Sequence, residues 1–170
     1  MEGTEFKKVV DKEMKAFNGI KIGKKYVWDS PELLIFVDIQ RSEFKRMAFF
    51  INVSYFIKAL SSEVLKSHNE YLGDVVYRFN SGVNEFQYND VFVIEDSEIQ
   101  INLHSILKRE LKKFIEDIQS VDDLQVFIKN YSLSRPFIKA SVEKFFNGKD
   151  NPPAPKQGIF SLLFRTMKKI

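Results

Sequence analysis

The chain has no cysteine. That excludes disulfides, zinc–thiolate centres and cysteine nucleophiles together. No apolar run approaches the roughly 18 residues of a membrane helix. The N-terminal stretch MEGTEFKKVV opens acidic and has no apolar core segment, so it does not read as a secretory leader. A cytoplasmic location is the expectation. Only two histidines occur, His68 and His104, and neither has metal-ligand spacing around it. No nucleophile elbow, zincin motif or dinucleotide fingerprint is present. GIKIGKK comes nearest to a phosphate loop. Its glycines, Gly19 and Gly23, stand one residue too close, and Lys25 follows Lys24 where Ser or Thr is needed. No cofactor and no metal is implied.

What is present is ordinary globular composition. The 170 residues are 44% hydrophobic and 29% charged, which fits one domain with an appendage. Phenylalanine is frequent, at 17 residues. It reads as an aromatic core, since base-stacking platforms usually add exposed Tyr, Trp or Arg. The net charge of +3 is unevenly spread. Lys149, Lys156, Arg165, Lys168 and Lys169 against Asp150 give the last 22 residues +4, which leaves residues 1–148 at −1. A nearly neutral body is no argument for nucleic acid.

Periodicity divides the chain. Phe6, Val9, Val10, Met14 and Phe17 predict a helix over about 4–17, with Thr4 as N-cap and Asn18-Gly19 as stop. Lys8, Lys12 and Lys15 fall on its other side. Short strands are expected near 20–22 and 24–28, bounded by Gly23 and Asp29-Ser30-Pro31. Then ELLIFVDIQRSEFKRMAFFINVSYFIKAL alternates with period two on either side of a polar loop, an antiparallel hairpin. Matching apolar to apolar sets Ile39 opposite Phe49, Val37 opposite Ile51 and Ile35 opposite Val53. The other face is mixed: Phe36, Asp38, Gln40, Phe50, Asn52, Ser54 and Phe56. Ser61-Ser62-Glu63 is a candidate helix cap, and VVYRF (75–79) and VFVIE (91–95) read as strands.

The remainder reads as helical. Ser97 with Gln100 resembles a capping box ahead of the stripe Leu103, Leu107, Leu111, Phe114 and Ile118. Ser120 starts a second helix with Leu124, Phe127, Ile128 and Tyr131. Ser134 and Pro136 start a third, with Phe137, Ile138, Val142, Phe145 and Phe146, ending at Gly148. The fold class is α+β: an antiparallel sheet of about five strands covered by the N-terminal helix and the C-terminal helices. The domain spans 1–148. Residues 149–156, KDNPPAPK, are a Pro-rich linker, and 157–170 an amphipathic basic tail helix. Its apolar side, Phe160, Leu163, Phe164 and Met167, needs a cover: the domain itself, a protein partner, a second copy or an anionic membrane surface.

Few residues suggest chemistry. His104, beside Leu103, reads as a surface or interfacial histidine. His68 would need carboxylates converging from elsewhere. Glu95, Asp96 and Glu98 precede a helix and suit its dipole better than a metal. Asn52-Val53-Ser54 and Asn130-Tyr131-Ser132 match the glycosylation pattern, which has no meaning without secretion.

The order FKKVV, KKYVW, IQRS, FFINVSYF and YRFN resembles the bacterial DUF4304 family of domains of unknown function over roughly residues 5–95. In that family a Gln-x-Ser ends one strand, an Asn sits in the next and a later strand carries an Arg. Here those are Gln40, Ser42, Asn52 and Arg78. The resemblance implies an α+β fold and a bacterial source, and it supplies no catalytic residues. The expectation is a non-enzymatic interaction module, in one form immunity-type, with a ligand or partner patch at Gln40, Asn52, Arg78 and His68. The alternatives are an enzyme with a dispersed site around Gln40, Arg78 and His68, and nucleic-acid binding through Lys8, Lys12, Lys15, Lys24 and Lys25.

Overall fold

Helix α1 (Gly3–Ala16) lays Phe6, Val10 and Met14, all fully buried, on one side of a sheet. The structure is a computed structural model and describes residues 1–44, 47–60, 73–82, 89–131 and 136–148. The helix begins earlier than expected. Glu2 is the N-cap without a side-chain bond, and Thr4 lies inside the first turn. It ends as the sequence implies, with Asn18 in the left-handed region at φ 61°. Gly19 follows because a Cβ there would meet Trp28 at 2.6 Å and the Met14 carbonyl at 2.8 Å.

The strands are β1 (Ile20–Ile22), β2 (Lys25–Asp29), β3 (Leu33–Arg41), β4 (Ala48–Ile57), β5 (Val75–Arg78), β6 (Phe92–Val93) and β7 (Phe137–Ile138). They form one seven-stranded antiparallel sheet in the order β1-β2-β3-β4-β5-β7, with β6 also pairing β4. The count exceeds the expected five, and the strand that was not anticipated is β7, which periodicity assigns to a helix. Phe137 and Ile138 instead complete the open edge of β5, pairing with Val76 and Val75. The helix that follows, α4 (Ala140–Phe146), starts only at Ala140 and stops at Gly148, φ 67°.

The β3–β4 hairpin forms with the expected faces but a register shifted by two. Ile39 faces Ile51, Val37 faces Val53 and Ile35 faces Tyr55. Parity preserves the buried face under such a shift, so the inner apolar set cannot choose between the two. The outer face chooses. The observed register sets Asp38 against Asn52 and Leu34 against Phe56; the other would set Asp38 against Phe50 and Leu34 against Ser54.

Helix α2 (Ser97–Leu111) is capped by Asp96, whose side chain accepts from the Glu98 N–H at 2.8 Å. Ser97 and Gln100 are not its capping box: Gln100 donates to the Ile94 carbonyl. A π-helical turn (Lys112–Glu116) extends it, and there the Phe114 carbonyl accepts the Tyr55 hydroxyl at 2.7 Å. Helix α3 (Val121–Asn130) has a capping box between Ser120 and Asp123. Leu103, Leu107, Leu111, Phe114 and Ile118 are all buried, as their spacing implies. Tyr77, Phe114, Phe127 and Tyr131 form an aromatic cluster between sheet and helices. The helices thus cover one face of the sheet, and the other is left to the mixed residues.

Candidate functional site

The outer face is organised by the register. Lys25 pairs with Asp38, Asp38 with Asn52, and Asn52 with Arg78. Directly opposed residues share a face, so these four side chains form one row across β2, β3, β4 and β5. The next row is apolar apart from Ser54: Val27, Phe36, Ser54, Val76 and Phe137. Val27 of this row is buried together with Leu34 and Phe56, with Ile22 and Phe36 packed around them, as a second small apolar cluster. Gly73 passes close to this end, since a Cβ on it would lie 2.8 Å from that of Ser54.

The polar row is bonded along its length. Asn52 donates from its amide nitrogen to Asp38 Oδ2 at 3.4 Å and to Gln40 Oε1 at 3.3 Å. Its own oxygen accepts from Arg78 Nε at 3.2 Å. Arg78 also pairs with Asp90 at 2.9 Å, and its guanidinium lies 4.2 Å from the centre of the Phe50 ring. Lys25 stands 5.7 Å from the Phe36 ring centre. Burial pushes the Asp38 carboxyl above its ordinary value, while the Asn52 bond and the Lys25 charge pull it down. Burial likewise lowers Lys25, opposed by Asp38. The row therefore sits where water is partly excluded, yet Arg78 keeps 41% of its side chain exposed and Gln40 is exposed.

The structure brings Gln40, Asn52 and Arg78 together in one network. It adds four members that motif reading left out of the patch: Lys25, Asp38, Phe50 and Asp90. Asp38 and Phe50 were visible as outer-face residues of the hairpin. Asp90 had no signal, because only closure of the chain between β5 and β6 brings it to Arg78. His68 lies outside the described residues, and so do Phe160, Leu163, Phe164 and Met167. The N-terminal lysines do not form one surface. Lys8, Lys12 and Lys15 stand on α1, over the inner face, whereas Lys25 belongs to the outer face. Lys15 is paired with Asp11 at 2.7 Å.

Two further polar clusters hold the fold. Glu110, fully buried on α2, accepts from the Asn80 N–H and from Arg109 Nε, each at 2.8 Å. Arg109 in turn donates to the carbonyls of Asn80 and Gly82, and the Asn80 side chain accepts from the N–H groups of Gly82 and Asn89. This clamp fixes the chain after β5 to α2. Neither Asn80 nor Glu110 stood out in the sequence, because a buried Glu on a helix looks like any surface Glu until its partners are known. The other cluster joins α1 to α2: His104 Nδ1 lies 2.8 Å from Glu13 Oε1. His104 is thus interfacial, and Glu13, only 4% exposed, was missed for the same reason as Glu110.

Among the described residues no group of three or more His, Asp or Glu side chains could hold a metal ion. No helix there is long and apolar enough to cross a membrane. Comparison with curated proteins and with solved structures gives no match. A family model described as "Domain of unknown function (DUF4304)" matches residues 17–131. The match takes in Gln40, Asn52 and Arg78 and continues through α2 and α3, beyond the 5–95 span that the short motifs indicate. From the sheet's first strand to the end of α3, then, the chain belongs to the DUF4304 family.

Proposed function

We propose that the chain is a non-catalytic binding module of the bacterial cytoplasm that takes a protein partner on the outer sheet face around Gln40, Asn52 and Arg78. The observation that carries this reading is the bonded row from Lys25 through Asp38 and Asn52 to Arg78 and Asp90. Cations and anions alternate along it, so its net field is small. That favours a surface of matching alternation over a polyanion. Phe50 under the Arg78 guanidinium and Phe137, 51% exposed, are of the residue types that anchor protein interfaces. An immunity-type inhibitor, which neutralises a toxic protein by covering it, is the concrete form of the reading. An enzyme would need a reacting group aimed at a substrate. Here the amide of Asn52 and the Arg78–Asp90 pair are directed at neighbours in the row.

A photo-crosslinking residue placed at position 40, and separately at position 8 on α1, tests the proposal in cells that make the protein. The expected result is a discrete protein adduct from position 40 and none from position 8. Arg78→Glu and, independently, Phe137→Asp should abolish the adduct, with unchanged circular dichroism showing that each variant folds. Equal adducts from both positions, or an adduct indifferent to both substitutions, would overturn it.

A further inference from the structure

The tripeptide Phe-Asn-Gly occurs twice, as residues 17–19 and 146–148. Each copy closes a helix: Asn18 and Gly19 follow α1, and Asn147 and Gly148 follow α4. The local chemistry is the same in both. An Asn amide is most open to attack by the next backbone nitrogen when glycine follows, because glycine has no Cβ to hinder the approach. The surroundings differ. At the first copy the Gly19 N–H donates to the Met14 carbonyl at 2.9 Å. Gly19 also lies against Trp28, whose ring a Cβ would meet at 2.6 Å. Trp28 in turn donates to the Phe17 carbonyl at 2.6 Å and packs against the core. Turning the Asn18–Gly19 peptide requires this whole corner to open. At the second copy the Gly148 N–H donates to the Phe145 carbonyl at 3.0 Å, at the end of a seven-residue helix. Asn147 and Gly148 are both exposed, and among the described residues nothing lies within 4 Å of a Cβ built on Gly148. Helix ends fray at almost no cost, whereas a corner tied to the core opens only with the structure around it.

We infer that Asn147 is a site of spontaneous deamidation and that the fold protects Asn18 from the same reaction. Asn147 stands at φ −85° and ψ 5°, which keeps the Gly148 nitrogen bonded back into the helix. Once that bond opens, ψ turns freely and the Gly148 nitrogen reaches Asn147 Cγ. A bond forms between them, the Cγ–Nδ2 bond breaks, and the side-chain nitrogen leaves as ammonia with the Gly148 proton. Water then opens the cyclic imide at either carbonyl, leaving aspartate or isoaspartate. Water is the only reagent. Either product sets a carboxylate just past the C-terminal end of α4, where the helix dipole is itself negative. The isoaspartyl product also adds a methylene to the main chain between the N–H groups that bond the Glu143 and Phe145 carbonyls. The reaction therefore loosens the end of α4, whose Val142, Phe145 and Phe146 pack on the core. The inference does not draw on the partner surface around Arg78.

The test holds the full chain at physiological temperature and mildly alkaline pH, once in native buffer and once in unfolding urea. Peptide mapping by mass spectrometry follows both Asn-Gly sites, and an isoaspartate-specific methyltransferase labels the isoaspartyl product. In native buffer Asn147 should convert at least about tenfold faster than Asn18, the worth of the hydrogen bond and ring contact that hold the Gly19 corner closed. In urea the two copies of the tripeptide should convert at similar rates, which shows that the difference belongs to the fold. Asn147→Gln should remove most of the methylation. Equal rates at the two sites in native buffer, faster conversion at Asn18, an intact Asn147 over a period in which the unfolded chain converts, or undiminished methylation of Asn147→Gln would each overturn the inference.

Discussion

Asp38 shows how a single side chain in the polar row can be weighed. Burial is the largest influence on it and raises its pKa; the Asn52 bond and Lys25 act the other way and lose. A carboxyl raised in this way holds its proton more tightly in the folded chain than in the unfolded one. It adds stability when protonated and withdraws it when ionised. The deficit is complete above the raised folded-state value and disappears below the ordinary carboxyl value near pH 4. Asp38→Asn keeps an oxygen for the Asn52 amide and removes the charge. The variant should therefore be more stable than wild type at neutral pH, with the advantage closing as the pH falls to about 4. Urea midpoints at the two pH values check this. A variant less stable at neutral pH would mean that attraction between Asp38 and Lys25 outweighs the burial of both. Asp11 has the opposite sign. Lys15 first, then Lys21 and Tyr26, hold its carboxyl far below the usual range, so its contribution is present above the ordinary value and is lost in strong acid.

At the scale of elements, the hairpin is the test of the sheet. Val37 is fully buried and faces Val53, beneath the helices. Val37→Asp places a carboxylate there with no partner, and should cost several kcal/mol, on the order of 3–5. A melting temperature equal to wild type would show that this face is not the core. The hairpin's faces, the α2 stripe and the ends of α1 and α4 at Asn18 and Gly148 were legible because each rests on local rules: period two, period 3.6, left-handed residues at helix ends. The register, β7 and the cap of α2 were not. Each is decided by a partner distant in sequence or by a competing local bond. Asp38 finds Asn52, Phe137 finds Val76, and Asp96 reaches the Glu98 N–H before Ser97 can act as cap. The candidate site divides the same way. Gln40, Asn52 and Arg78 were recognisable from short motifs on strands whose faces could be counted. Asp90 and the Asn80–Glu110 clamp depend on closure of the chain between β5 and α2, which no spacing rule encodes.

At the scale of the whole molecule, α1 stands outside the family match yet inside the core. The match begins at residue 17, and α1 ends at Ala16. Phe6 stacks on Phe49 with ring centres 4.9 Å apart and lies 5.9 Å from Phe92. Asp11 ties the helix to Lys21 and Tyr26 at 2.6 Å each, and Trp28 donates to the Phe17 carbonyl at 2.6 Å. The ion pairs here are exposed and contribute little. The apolar contact is what matters. Phe6, Val10 and Met14 are all fully buried, and at about 1.5–3 kcal/mol for each such side chain their removal costs roughly 5–9 kcal/mol. That rivals the whole stability of a typical domain, about 5–15 kcal/mol. It would also bare the inner face at Phe49 and Phe92 and remove buried Glu13, which His104 meets at 2.8 Å. Deleting residues 1–16 should therefore abolish the cooperative unfolding transition, even though the region matched by the family model is left whole. Near-ultraviolet circular dichroism should collapse, and a synthetic peptide of residues 1–18 added in excess should restore part of it. A truncated chain that keeps a sharp transition at the wild-type urea midpoint would show that the matched region is self-sufficient and that α1 only rests on it.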